Sequence, residues 1–174
     1  QNGESVAFSP KGSEIVVGHN NSPYTTAYPW SAAGFGSKFA NPSTLPTGIG
    51  HGVSFSPSGT QLAVAHTTSP YITAYPWSSS GFGTKFANPS TLPTGIGRDV
   101  KFSPAGTEIA VASDGSPYII AYPWSASGFG TKFADPATLP SGAAKSVAFS
   151  PSGDQIVVGH SGGSYVTALT LDMS

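Results

Sequence analysis

The charged residues that differ between otherwise repeated segments are the strongest candidates for chemistry in this sequence. Glu4, His51, Arg98 and Lys145 are spaced 47 residues apart, and each stands two residues before a segment that is nearly the same in all four places. A residue that changes while its neighbours stay constant does not serve one shared packing role, so these positions are candidates for ligand binding. The simpler interpretation is that they are solvated loop residues, and a further alternative is a hydrolase centred on His51, Arg98 and Asp99. The candidate binding residues, expected at the mouth of a central channel where the first strands of the repeats converge, are His51, Arg98, Asp99, Lys101 and Lys145.

A second candidate site is aromatic. Tyrosine and tryptophan recur in the words Ala-Tyr-Pro-Trp-Ser, and a glycan-binding protein would present one such stacking site in each repeat. The competing interpretation is that a Trp beside Pro packs between neighbouring structural units, where its burial stabilises the fold by about 2–3 kcal/mol. The candidate glycan-stacking residues are Tyr28, Trp30, Tyr75, Trp77, Tyr122 and Trp124.

Catalytic and metal-binding patterns are missing from the sequence. It contains no HExxH, no glycine-rich phosphate loop and no GxSxG. Since there are no cysteines, a thiolate zinc site and a cysteine nucleophile are excluded. Three histidines, His19, His66 and His160, share one repeat position with Ser113 as the fourth member, but zinc needs its ligands around a common point. We therefore predict no catalytic residues, no metal and no cofactor.

Composition narrows the choice of partners. The chain has 174 residues and a formal net charge of -1, and only 9% of its residues are charged, against roughly 25% in an average soluble domain. Its seven basic residues are scattered, so nucleic acid is not expected as a partner. No apolar run approaches the roughly 20 residues that span a membrane. We predict a protein of an extracellular or virion surface that binds itself, another protein or a glycan.

The elements that must position these residues come from an internal repeat. Val-x-Phe-Ser-Pro occurs four times, at 6–10, 53–57, 100–104 and 147–151. In each repeat, period-2 alternation predicts a first strand, a Pro- and Gly-containing turn follows, and an apolar run such as 15–17 predicts a second strand. β-Branched and aromatic residues predict a third strand at 71–75, and a short outer strand is expected around 84–87.

Four short antiparallel strands in each repeat, with no helical period, predict an all-β protein and specifically a β-propeller. The predicted blades are residues 4–50, 51–97, 98–144 and 145–174, which together form one repeat domain. The fourth blade should lack its outer strand, because Leu169-Thr170-Leu171 stands where Tyr-Pro-Trp stands in the other three.

The opening of each repeat resembles that of WD40-type repeats. Val147-Ala-Phe-Ser-Pro-Ser-Gly, followed by Ile156-Val-Val, is similar to the strand, Ser-Pro-x-Gly turn and second strand that begin such blades. The chain departs from the family because Tyr-Pro-Trp-Ser replaces the usual Trp-Asp ending and the repeat is longer. The repeats also resemble arrays in phage and bacterial surface proteins. The WD40 resemblance implies a propeller in which the histidines His19, His66 and His160 join hydrogen-bond networks within their blades.

The incomplete fourth repeat bears on assembly. Four blades can close on themselves and leave one edge uncovered, or several chains can combine, for example two chains in an eight-bladed ring. A further segment can also add to the uncovered edge. We therefore predict a non-enzymatic structural or interaction module that associates with itself, with a glycan-binding lectin as the alternative.

Overall fold

The computed structural model describes residues 2–170, in which short β-strands are joined by turns and loops. The strands lie in four antiparallel sheets, here called blades 1 to 4. Blade 1 contains β1 (Gly3–Phe8), β2 (Glu14–His19), β3 (Thr25–Ser31) and β4 (Gly34–Phe35). Blade 2 contains β5 (Gly50–Phe55), β6 (Gln61–His66), β7 (Ile72–Ser78) and β8 (Gly81–Phe82). Blade 3 contains β9 (Gly97–Phe102), β10 (Glu108–Ser113), β11 (Ile119–Ser125) and β12 (Gly128–Phe129). Blade 4 contains β13 (Ala144–Phe149), β14 (Gln155–His160) and β15 (Val166–Thr170).

The all-β class and the four repeats are confirmed. Within residues 2–170, the first three sheets have four strands each and the last has three, so the fourth blade lacks an outer strand there, as its sequence predicts. Neighbouring strands within a blade are consecutive in the chain, which short turns allow.

The two faces of each blade differ because side chains alternate along the strands. Blade 2 carries bulky residues such as Phe55, Tyr75 and Trp77 on one face, and small ones such as Ala63 and Ala74 on the other. We call these the large-residue face and the small-residue face. The large-residue face of blade 2 packs on the small-residue face of blade 1, and the same arrangement joins blades 2 and 3 and blades 3 and 4. The core of the protein is therefore the set of three junctions between blades.

The innermost strands approach one another closely. β5 packs against β1 on one side and β9 on the other, and β9 packs against β13. A Cβ atom at Gly52 would lie only 2.6 Å from the Cα atom of Asp99, so glycine allows β5 to approach the backbone of β9. The inner edges of the four blades thus form one continuous row.

The predicted position of the outer strand is wrong by a few residues. The strand expected around 84–87 lies instead at Gly81–Phe82, where Gly81 pairs with Ser78 and Phe82 with Trp77. The reason is that Gly81 adopts a positive φ and the chain turns back at once, so pairing starts before the expected segment. Residues 84–87 then follow the same edge loosely, held by a bond from the Phe86 N–H to the Ala74 carbonyl of 2.9 Å.

The four blades form an open arc and not a ring closed on itself. No packing comparable to that between consecutive inner strands joins β13 back to β1 in residues 2–170. Val6 and Phe8 on blade 1, and Val157 and Val166 on blade 4, are consequently exposed. Closure of the four blades on themselves, one of the arrangements expected from the sequence, is not observed in residues 2–170.

Candidate functional site

A repeated irregularity of the innermost strands positions the charged candidates. In each blade the pairing of the first two strands shifts by one residue, for example between Gly3 and Ser5 in β1. A β-bulge of this kind leaves the extra residue unpaired and turns its side chain to a new direction. The bulge residues are Glu4, His51, Arg98 and Lys145. The four positions that differ most between repeats are therefore also the four residues that have no partner in the pairing of the first two strands.

The bulge side chains contact one another from blade to blade. Glu4 Oε2 lies 3.7 Å from His51 Nδ1, and Arg98 Nη1 donates to His51 Nε2 at 3.2 Å. Asp114 connects Arg98 to Lys145. Arg98 Nε lies 3.0 Å from both carboxylate oxygens of Asp114, and Lys145 Nζ lies 3.1 Å from Asp114 Oδ1. We call this series the bulge row. It runs from a carboxylate on blade 1 to an ammonium group on blade 4.

The environment of the bulge row fixes the charge of two of its members. Burial, reinforced by the neighbouring Arg98 guanidinium, lowers the pKa of His51 below its ordinary value. The imidazole is therefore neutral at pH 7, as it must be to accept a hydrogen bond from Arg98. Hydrogen bonds from Arg98 hold the pKa of Asp114 below its usual range, and Lys145 adds to the effect. Asp114 is thus a carboxylate shared by two cations.

Asp99 and Lys101 form a separate pair beside the bulge row. Lys101 Nζ lies 2.7 Å from Asp99 Oδ1. The same carboxylate accepts the N–H of Val100 at 2.9 Å and that of Val147, in the next blade, at 3.2 Å. Asp99 therefore ties β9 to β13. The structure brings three of the five predicted residues, His51, Arg98 and Lys145, together in the row. Of the other two, Asp99 makes a contact between blades and Lys101 pairs with Asp99 within its own blade, and ligand binding at these five stays a prediction.

Asp114 is the residue of this site that the sequence analysis missed. It lies in the loop after β10, where the other repeats have Asn20, Thr67 and Ser161. The signal is present in the sequence, because this position also differs in every repeat, but it lies in a loop after the second strand and not at the entrance of a first strand. Only the fold shows that this loop returns to the inner edge beside Arg98.

The glycan-stacking prediction needs correction at four of its six residues. Tyr75, Trp77, Tyr122 and Trp124 are buried between blades, so neither ring of these pairs offers a face to a sugar. Trp77 contacts the ring edges of Phe39, Phe55 and Phe82 with centroids 5.0–5.3 Å apart, which is the packing alternative weighed above. Tyr28 and Trp30 are only partly buried, because no blade precedes blade 1 in residues 2–170.

Two of the three repeated histidines, His66 and His160, form side-chain hydrogen bonds within their own blades, and the same role for His19 stays a prediction. His66 Nε2 lies 2.8 Å from Thr73 Oγ1, and His160 Nε2 lies 2.9 Å from Thr167 Oγ1. Burial lowers the pKa of His66 to about 4, so this imidazole is neutral in the folded protein near pH 7. Residues 2–170 hold no cluster of three or more metal-ligating side chains. That part of the chain also forms no helix of the length and hydropathy that a membrane span requires.

The blades, their order and their mutual packing define a β-propeller-like repeat fold. Comparison with solved structures gives the same class. The chain is similar to hydrazine synthase of Kuenenia stuttgartiensis, with a TM-score of 0.73 and 15% sequence identity over 97% of this chain and 46% of that one. It is also similar to a putative 6-phosphogluconolactonase from Bacteroides uniformis, with a TM-score of 0.72 and 16% identity over 97% of this chain and 53% of that one.

These likenesses establish the fold and nothing finer. The chain spans about half the length of the two structures, and the identities are too low to carry over an activity. No protein-family model matches the sequence, and no curated protein does. Neither neighbour is described as a WD40 protein, so the resemblance to WD40 repeats and to phage and bacterial surface arrays stays a prediction.

Proposed function

We propose that the protein is a non-enzymatic structural or interaction module of WD40-like blades that associates head to tail. In this arrangement the large-residue face of blade 1 of one copy packs on the small-residue face of blade 4 of another. The composition favours an extracellular or virion surface as the place of action. One observation carries the proposal. Every junction inside the chain pairs a large-residue face with a small-residue face, and the two exposed outer faces of the arc are one of each kind.

The large-residue face of blade 1 is exposed, although it has nearly the same sequence as the buried large-residue faces of blades 2 and 3. Val6 is 65% exposed, whereas Val53, the equivalent residue of blade 2, is 4% exposed. Phe8 is likewise exposed, and its equivalents Phe55 and Phe102 are buried. A contiguous apolar surface of this kind on a protein marks an interaction site more often than an isolated apolar residue does.

The face of blade 4 shows the complementary difference. Val157 is 40% exposed, whereas Val16 at the same position of blade 1 is fully buried under blade 2. Val166 is also exposed, and its equivalent Ile119 is buried under blade 4 itself. Because the internal junctions pair one kind of face with the other, two copies can repeat this junction without a new type of contact. Such a contact is heterologous, so it closes a ring if the rotation allows and extends a filament if it does not.

The charges at the two ends of the arc also match. Within the chain, each bulge residue faces the bulge residue of the next blade or is bridged to it. The row ends with Glu4 on blade 1 and Lys145 on blade 4, which have opposite charges. A head-to-tail junction would place Lys145 of one copy beside Glu4 of the next. Matching charges add mainly specificity and association rate at such contacts.

The test is the mass of the protein in solution as a function of concentration. We expect sedimentation velocity to show association of the unmodified chain, and Phe8→Glu or Val157→Glu to abolish it by placing a charge in one half of the junction. Leu139→Glu is the matched control, because Leu139 is an exposed apolar residue of a linker that belongs to neither outer face. Association that persists in both face variants, or a monomer at every concentration, contradicts the proposal.

A further inference from the structure

The linkers that lead into blades 2 and 3 bind the following blade through three repeated contacts. The first is aromatic: Phe39 lies edge-on to Trp77 with ring centroids 5.2 Å apart, and Phe86 lies against Trp124 at the same 5.2 Å. Each Phe belongs to the end of one blade and each Trp to the large-residue face of the next. The linker therefore starts from an aromatic anchor on its neighbour.

The second and third contacts are hydrogen bonds farther along the linker. Tyr75 donates its hydroxyl proton to the Thr44 carbonyl at 2.7 Å, and Tyr122 does the same to the Thr91 carbonyl at 2.7 Å. Thr47 then donates its hydroxyl proton to the Ser69 carbonyl at 2.8 Å.

The third contact is also repeated one blade further on. Thr94 donates its hydroxyl proton to the Ser116 carbonyl at 2.5 Å. Both linkers carry one sequence, Phe-Ala-Asn-Pro-Ser-Thr-Leu-Pro-Thr-Gly, at 39–48 and at 86–95. The anchors are thus a Phe, a Thr five residues later and a second Thr three residues after that.

Blade 1 carries the same receiving groups without a linker from residues 2–170. Tyr28 and Trp30 correspond to Tyr75 and Trp77, and Ser22 corresponds to Ser69. A groove of about 410 Å³ lies beside Tyr28, Ser22, His19 and Lys38.

The hydrogen bonds of the repeated histidine differ between blades 1 and 2. In blade 2, Thr47 Oγ1 lies 3.4 Å from His66 Nδ1. In blade 1 the corresponding atom, His19 Nδ1, is buried and has no hydrogen-bond partner among the described residues. A buried polar atom without a partner is uncommon in folded proteins. A threonine hydroxyl placed as in blade 2 would supply this partner.

We propose that the blade-1 groove binds, from another molecule, an extended peptide with the spacing Phe-x₄-Thr-x₂-Thr. The peptide's Phe would contact Trp30, its first Thr carbonyl would accept the Tyr28 hydroxyl proton, and its second Thr would reach Ser22 and His19. Prolines in such a segment keep it extended and reduce the entropy lost on binding. Within residues 2–170 of a second copy, the two linkers of this kind are already bound to that copy's own blades 2 and 3, so the site is distinct from the head-to-tail contact.

The experiment uses the peptide FANPSTLPTG and the full chain, with binding followed by calorimetry. We expect one site per chain with a Kd below about 1 mM. Tyr28→Phe should weaken binding about fivefold, as loss of one neutral hydrogen bond predicts, and Trp30→Ala should weaken it more. Tyr75→Phe is the matched control, because the linker of the same chain already occupies its site, and it should leave the affinity unchanged.

Changes in the peptide test the same contacts without altering the protein. Replacing its Phe by Ala, or its last Thr by Val, should weaken binding at least as much as Tyr28→Phe does. The Val157→Glu variant, which is expected to stop self-association at the opposite end of the arc, should bind the peptide as the unmodified chain does. No binding at about 1 mM peptide, or an affinity that ignores both sets of changes, overturns the proposal.

Discussion

Blades 1 and 2 have almost the same sequence and very different surroundings. Phe8 of blade 1 is 52% exposed and Phe55 of blade 2 is 8% exposed, although each follows the same Val-x-Phe-Ser-Pro pattern. The difference comes from the neighbour: blade 2 packs on the small-residue face of blade 1, and no described residue packs in the same way on blade 1. The repeat sequence therefore determines which side chains form the apolar face of a blade, and the position of the blade in the arc determines whether that face is buried.

The largest difference should appear when the two phenylalanines are truncated. Phe55→Ala removes a buried ring from the junction and should lower the free energy of unfolding by about 3–4 kcal/mol. Phe8→Ala removes a ring that is already half in water and should cost about 1 kcal/mol or less. Urea denaturation of both variants at a concentration where the chain is monomeric checks this. Equal losses would show that the two faces are equivalent and would break the comparison.

Acidification should reveal a difference between blades 2 and 3, because blade 2 contains a buried histidine where blade 3 has a serine. His66 has a folded-state pKa of about 4 against an ordinary value of 6.5, so the unfolded chain binds its proton first. Its contribution to stability is therefore complete above pH 6.5 and is lost as the pH falls towards 4, by on the order of 2–3 kcal/mol.

The third repeat supplies the control for this loss. Ser113 occupies the position of His66 there, so His66→Ser introduces a residue that the fold already accepts. The variant should lose less stability than the unmodified chain between pH 6.5 and 4 in thermal unfolding. The same pH dependence in both proteins would rule out His66 as the cause.

A smaller difference is expected for the tyrosines. Tyr75→Phe deletes the bond to the Thr44 carbonyl in a buried junction and should lower stability by about 1 kcal/mol. Tyr28→Phe should change stability by a few tenths of a kcal/mol, because no described linker accepts its proton. Urea denaturation of the two variants measures both free energies of unfolding. A larger loss of stability in Tyr28→Phe than in Tyr75→Phe would contradict the assignment of the Tyr28 groove as a site for a separate peptide.

The smallest effect should come from the charges at the ends of the arc. Glu4→Lys or Lys145→Glu alone would place like charges together at a head-to-tail junction and weaken self-association, by up to about fivefold for an exposed pair. The double variant restores opposite charges and should restore the association constant measured by sedimentation. A double variant as weak as the single ones would show that Glu4 and Lys145 do not meet.

Sequence alone predicts most of this fold because the repeat supplies four versions of the same pattern. Alternation and the Pro-Gly turns place the first three strands of each blade, and the change from Tyr-Pro-Trp to Leu169-Thr170-Leu171 predicts the shortened fourth blade. Leu171 itself lies outside the described residues. The outer strand was misplaced because it has only two paired residues, and its position depends on a positive φ at Gly81.

The candidate site is less visible in the sequence for a physical reason. Variation between repeats identified His51 and Arg98, but a bulge that turns them into one row is a property of strand pairing. The contact of Asp114 with Arg98 joins segments 16 residues apart through a loop whose path no periodicity encodes. Four of the six aromatic candidates, Tyr75, Trp77, Tyr122 and Trp124, fail for the opposite reason, since their burial depends on the neighbouring blade and not on the repeated segment in which they occur.

The central claim, that the outer face of blade 1 binds the outer face of blade 4 in another copy, is tested most directly by mixing two blocked proteins. Phe8→Glu blocks one half of the junction and Val157→Glu blocks the other. Each variant alone should sediment as a monomer. Their equimolar mixture should form a heterodimer, because one intact half from each protein remains. A mixture that stays monomeric, or a Val157→Glu protein that still dimerises alone through blade 1, would contradict the head-to-tail account.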